Sequence, residues 1–82
     1  MIMKITQRDV AERILDILVK DLRLKPGDPV PDQALKTQYR SGGGDAGNIK
    51  DGLKYAGDNE WLTYDPSKDA WYLTELGHEY AL

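Results

Sequence analysis

The tightest constraint on the fold lies near the carboxyl end. Two short aromatic, β-favouring runs, Trp61-Leu62-Thr63-Tyr64 and Ala70-Trp71-Tyr72-Leu73, flank the turn-forming segment Asp65-Pro66-Ser67-Lys68-Asp69. Residues of this kind at this spacing predict a β-hairpin. Leu62 and Tyr64 would share a face with Trp71 and Leu73, and Trp61, Leu62 and Trp71 are expected in the core. The segments before the hairpin carry helical periodicity, so the chain reads as α+β.

The first helix is predicted from about Gln7 to Leu22. Thr6 can cap it, Asp9 stands in the reciprocal capping-box place, and Ile5 and Val10 sit where a hydrophobic staple would close. Val10, Ile14, Ile17, Leu18 and Leu22 then recur at the 3.6-residue period of an amphipathic helix. Lys25 precedes Pro26 and avoids the α region, and Pro26-Gly27-Asp28 is turn chemistry, so the helix stops before it. A short second helix follows over Pro31–Tyr39, with Ala34, Leu35 and Tyr39 as its apolar stripe. Ser41-Gly42-Gly43-Gly44 reads as a flexible connection, because each interior glycine costs about 1 kcal/mol against alanine in a helix. Asp45 is a suitable N-cap for a third helix whose buried face carries Ile49, Leu53 and Ala56, and Asn59 can end it in the left-handed conformation. After the hairpin, Thr74 can cap a short terminal helix bearing Leu76 and Tyr80.

Eighty-two residues accommodate one core, so residues 1–82 are read as a single domain. A domain this small hides a modest share of its surface, which makes homodimerisation physically plausible. With no cysteine, disulfides, thiolate ligands and a thiol nucleophile are excluded together, in keeping with a cytoplasmic protein. No stretch approaches a membrane span and no secretion signal is legible. The net charge is −3, but it is unevenly spread. From Asp58 onward Lys68 is the one cation against six carboxylates. Attraction to phosphates over the whole surface is therefore not expected, and nucleic-acid binding would need a local basic patch.

Three helices followed by a two-stranded wing resemble the winged helix-turn-helix fold. The segment Leu24 to Pro31, LKPGDPVP, resembles the connection between the first two helices of GntR-type bacterial regulators, which carry a similar Pro-Gly turn and a Leu-Pro before the second helix. Asn48 to Ala56, NIKDGLKYA, is similar to that family's recognition helix, with Ile49, Lys50, Asp51 and Leu53 at its apolar, basic, acidic and leucine places. The resemblance spans Val10 to Trp61. The chain departs from it where the second helix lacks the opening Ser-Glu-Arg, where Asp45-Ala46 replaces a Ser-Arg pair, and in a longer, glycine-rich turn. Trp71 to Ala81, WYLTELGHEYA, looks like the second wing strand and closing helix of many other winged-helix proteins. The resemblance implies a DNA-binding transcriptional regulator, working as a dimer, with the third helix (about residues 45–58) in the major groove.

On that reading Asn48 would contact adenine, Lys50 and Lys54 would meet phosphates, and Gly47 would allow close backbone approach. Gln33, Lys36 and Arg40 of the second helix would support them, and Lys68 at the hairpin tip would reach a phosphate. The same side chains also read as an ordinary solvated helix face, since Asp51 and Asp58 repel phosphates, and as a solvated turn lysine bracketed by Asp65 and Asp69. Gly42 to Gly47 satisfies G-x-G-x-x-G but follows a predicted helix, not a strand, so it is read as coincidence; the helix N-terminus there could still hold an anion weakly. Tyr55, Tyr80 and any uncovered apolar residues of the first helix are candidates for a dimer surface. One histidine, His78, and two serines, Ser41 and Ser67, do not assemble a nucleophile, base and orienting group, and no cluster has metal-ligand spacing. The reading is therefore a non-enzyme without cofactor or metal: a DNA-binding domain or, alternatively, a protein-interaction module whose acidic carboxyl-terminal third meets a basic partner.

Overall fold

A computed structural model describes residues 6–82. The chain forms an α+β fold of four helices and one two-stranded antiparallel sheet. Helix α1 spans Gln7–Asp16 and continues into a π-helical turn, Ile17–Asp21. Helix α2 is Asp32–Ser41, a 3-10 turn covers Ala46–Asn48, and α3 is Ile49–Asp58. Strands β1, Leu62–Asp65, and β2, Ala70–Leu73, precede α4, Glu75–Ala81.

Helix α1 opens with the expected capping box: the Thr6 hydroxyl accepts from the Asp9 amide and the Asp9 carboxylate accepts from the Thr6 amide. The staple with Ile5 lies outside the described residues. The α-period does not run to Leu22. The amide of Leu22 donates to Ile17 and that of Leu24 to Leu18, a widened end made possible by Arg23 at φ 55°. Such π-turns insert one residue into a helix and re-aim the chain beyond it. The apolar stripe proves too narrow as well. Ala11, Leu15 and Val19 are buried along with Val10, Ile14, Ile17 and Leu18, because α3, α2 and α4 all pack around α1. From Gln7 to Asp21 every apolar residue is in the core and Leu22 is half-buried, so the first helix leaves little apolar surface for a dimer.

After α1 the turn at Pro26–Gly27 leads into a segment that joins the sheet, which the sequence did not announce. Gly27 and Val30 donate to the carbonyls of Leu73 and Trp71, Leu73 donates back to Asp28, and Pro29 bridges Tyr72. The link between α1 and α2 therefore covers the outer edge of β2.

The glycine run after α2 is ordered rather than loose. Gly44 donates to Tyr39 and Gly43 to Arg40 around Gly43 at φ 89°, the hydrogen-bond pair of a Schellman cap. Helix α3 closes the same way, with Trp61 donating to Ala56 and Glu60 to Gly57. Here the left-handed residue is Glu60, φ 63°, and not Asn59, whose φ is −95°. Asn59 instead turns its side-chain amide back to the Tyr55 carbonyl, which holds it on the helix end. Glu60 therefore carries a backbone cost that glycine would not. Glu60→Gly is expected to stabilise the protein by about 1 kcal/mol, read as a rise in urea midpoint at constant slope; a lower midpoint would contradict this account of the cap.

The hairpin has the expected facing: Leu62 pairs with Leu73 and Tyr64 with Trp71. Asp65 already pairs with Ala70, so the connection is a residue shorter than expected. Leu62 and Trp61 are core residues, whereas Trp71 is half-buried and packs against the core from outside. Thr74 caps α4 by accepting from Gly77, and its hydroxyl donates towards the carbonyls of Glu60 (2.6 Å) and Trp61 (2.9 Å). Helix α4 rests on Gly77 and Ala81, so Leu76 and Tyr80, its largest apolar side chains, face outward at 50% and 43% exposure. Tyr80 still covers Trp61, ring on ring at 4.4 Å, and its hydroxyl meets Glu12 and Arg8 of α1.

Candidate nucleic-acid interface

Helix α2, the 3-10 turn, the start of α3 and the hairpin surround a cleft of about 510 Å³. Its floor is apolar, built from Val30, Leu35, Ile49 and Leu53. Lys36 of α2 and Lys50 of α3 line it on the helical side, with Ala46 and Gly47 between them in sequence. Tyr64, Asp69 and Trp71 form the hairpin wall, and Asp32 lies in the first turn of α2.

Local structure explains these positions. Tyr64 and Trp71 are a cross-strand pair with ring centroids 5.1 Å apart, a contact that contributes beyond its buried area. The Tyr64 hydroxyl donates to Asp69, and this bond first, with burial second, holds the phenol above its usual range. Tyr64 therefore stays a donor. The hairpin turn is held by Asp65, whose carboxylate accepts from the hydroxyl and the amide of Ser67; these bonds lower its pKa and keep it ionised.

Of the residues singled out by sequence, the structure brings Lys36, Gly47 and Lys50 into the cleft. Lys54 is exposed one turn further along α3, next to Lys50 by the i,i+4 rule. Gln33 and Arg40 are exposed on α2 but do not line the cleft, and Asn48 is half-buried within the 3-10 turn. Lys68 lies over the Tyr72 ring, 6.0 Å from its centroid, and does not line the cleft either. The possible anion seat before the third helix is already taken: the Asp45 carboxylate accepts from the Gly47 amide at 2.9 Å and its carbonyl from the Asn48 amide. Asp69 is a site residue that sequence reasoning misses, whereas Tyr64 and Trp71 are legible from sequence as aromatics that could stack on bases or simply pack. The alternation that places Tyr64 and Trp71 on one face is the available signal, but by itself it reads as packing.

The pattern of charge pairing is uneven. Among the described residues the ion pairs are Arg8–Glu12 and Lys20–Asp16, both within α1 and its continuation. Lys36, Arg40, Lys50 and Lys54 make none, although Asp51 and Asp58 stand three and four residues from Lys54. Lys50 and Lys54 repel each other at i,i+4 by a few tenths of a kcal/mol. Among the described residues no group of three or more His, Asp or Glu side chains is placed to hold a metal ion, and no helix is long and apolar enough to cross a membrane. Comparison with family models, with curated proteins and with solved structures gives no match.

Proposed function

We propose that this chain is a winged helix-turn-helix DNA-binding domain of a small transcriptional regulator, with α3 entering the major groove and the β1–β2 hairpin as its wing. The GntR-like connection and recognition-helix pattern belong to the same proposal. The observation that carries it is the set of lysines, Lys36, Lys50 and Lys54, exposed and without ion pairs among the described residues, on the two helices beside the cleft. Unpaired cations on such a face are free to exchange their counterions for phosphates. The α2–α3 order and the hairpin beside the cleft support the same orientation.

Lys50→Glu/Lys54→Glu is expected to weaken binding to duplex DNA at least tenfold. It should also flatten the dependence of log K on log salt by about 2, roughly 0.9 for each phosphate no longer neutralised. Reversing Arg8 of α1 and Lys20 of its π-helical continuation should leave both quantities unchanged. Equal affinities for the α3 variant and the wild type, measured by fluorescence anisotropy, would remove the reading.

A protein-interaction module on the same scaffold is the second reading, and one observation favours it. A hollow of about 590 Å³, sharing no residue with the cleft, is lined by Glu60, Glu75 and Glu79 around the exposed Leu76.

A further inference from the structure

Two surfaces of this chain carry apolar side chains flanked by opposite charges. One is the acidic rim of the hollow on α4, where Leu76, half exposed, stands between Glu75 and Glu79. Neither glutamate makes an ion pair among the described residues. The other is concave: the cleft with its apolar floor of Leu35 and Ile49 and the lysines Lys36 and Lys50 beside it, also without ion pairs. The cleft also holds Asp69, which the Tyr64 hydroxyl bonds without neutralising, and Asp32 in the first turn of α2, where the helix amides offset part of its charge.

We propose that the protein associates head to tail with a second copy of itself, Leu76 of one copy entering the cleft of the next while Glu75 and Glu79 face Lys36 and Lys50. An isologous pairing of two α4 faces would set glutamates against glutamates, whereas the cleft offers them lysines. The contact joins two different patches, so it is heterologous and extends into a ring or a chain of copies. Because its polar part is solvent-edged, it weakens as salt shortens the reach of charge. Self-association of this kind uses lysines that the DNA reading places on phosphates, so the two would compete, but it does not rest on that reading and is tested without nucleic acid.

The test is sedimentation of the full chain at about 0.3 mM, in roughly 50 mM and roughly 500 mM salt, where the screening length falls to a few ångström. The wild type should exceed its monomer mass of 9.3 kDa at low salt and return towards it at high salt. Glu75→Lys/Glu79→Lys and Lys36→Glu/Lys50→Glu, each checked for unchanged helical circular dichroism, should each remain monomeric. Mixing the two variants should restore association, since each then meets an oppositely charged patch. A wild type that stays monomeric at low salt overturns the proposal. So does association that both variants retain, or a mixture that fails to recover it, because either places the contact elsewhere, on the outer face of Tyr80 for instance.

Discussion

Gly77→Ala is expected to destabilise the protein by about 2–3 kcal/mol, in the upper range for overpacking at a tight contact. An added Cβ would lie 2.1 Å from the carbonyl oxygen of Trp61 and 2.9 Å from its carbonyl carbon. Those atoms are backbone and cannot rotate away. They are also held in place, because Thr74 donates towards the same carbonyl with its hydroxyl and with its amide at 3.2 Å, while capping α4 through Gly77. Alanine would gain about 1 kcal/mol of helix propensity over glycine, which is too little to offset displacement of α4 from Trp61. For a domain of this size the loss corresponds to a fall in melting temperature of roughly 10–20 °C. An unchanged or higher melting temperature would show that α4 does not sit on the Trp61 backbone as described.

The second large effect is expected at Gly52, where α3 crosses α1. A Cβ there would meet Val10 Cγ1 at 2.5 Å and Ile14 Cδ1 at 2.8 Å, and Val10 and Ile14 are themselves buried, at 4% and 0% exposure. Gly52→Val adds two methyl groups more and forgoes much of the propensity that alanine would gain. A cost of about 3 kcal/mol is expected. Because that cost arises from one contact, it should be relieved by shrinking the partner. Val10→Ala alone opens a cavity and destabilises, but combined with Gly52→Val it should cost clearly less than the sum of the two changes, by about 1 kcal/mol or more. Strict additivity in chemical denaturation would mean that the two residues do not touch.

Much of this architecture was legible because local signals agreed with tertiary packing. Thr6 and Asp9 closed their capping box, Thr74 capped α4, and the alternation at Leu62, Tyr64, Trp71 and Leu73 showed which hairpin residues share a face, though not the shorter turn. The failures share a cause, which is that periodicity reports one buried face and not how many neighbours an element has. Helix α1 is surrounded by three others, so Ala11, Leu15 and Val19 are buried beyond the stripe. In α4 the reverse holds: the contact face is made of small residues, Gly77 and Ala81, and the large side chains mark the exposed side. The pairing of residues 27–30 with β2 depends on backbone groups alone and leaves no side-chain pattern to read.

The candidate site was legible in part. Lys36, Gly47 and Lys50 converge on the cleft because two helices packed on a shared core bring them together, and each is marked in the sequence by its place on a helix. Arg40 and Lys68 carry the right charge but point to other parts of the surface, since one ends α2 and the other stacks on Tyr72. The hairpin wall, Tyr64 with Asp69, depends on a hydrogen bond across the turn that no sequence spacing announces.

The central claim, that the α2–α3 face and its wing bind duplex DNA, is tested most directly by titrating the wild-type protein against random-sequence and genomic fragments in fluorescence anisotropy across a salt series. The account predicts binding that prefers some fragments over others and falls with salt at a slope of about −2 to −4, for two to four phosphate contacts. Folded protein that shows no binding at the lowest salt would contradict it and leave the acidic hollow beside Leu76 as the functional surface.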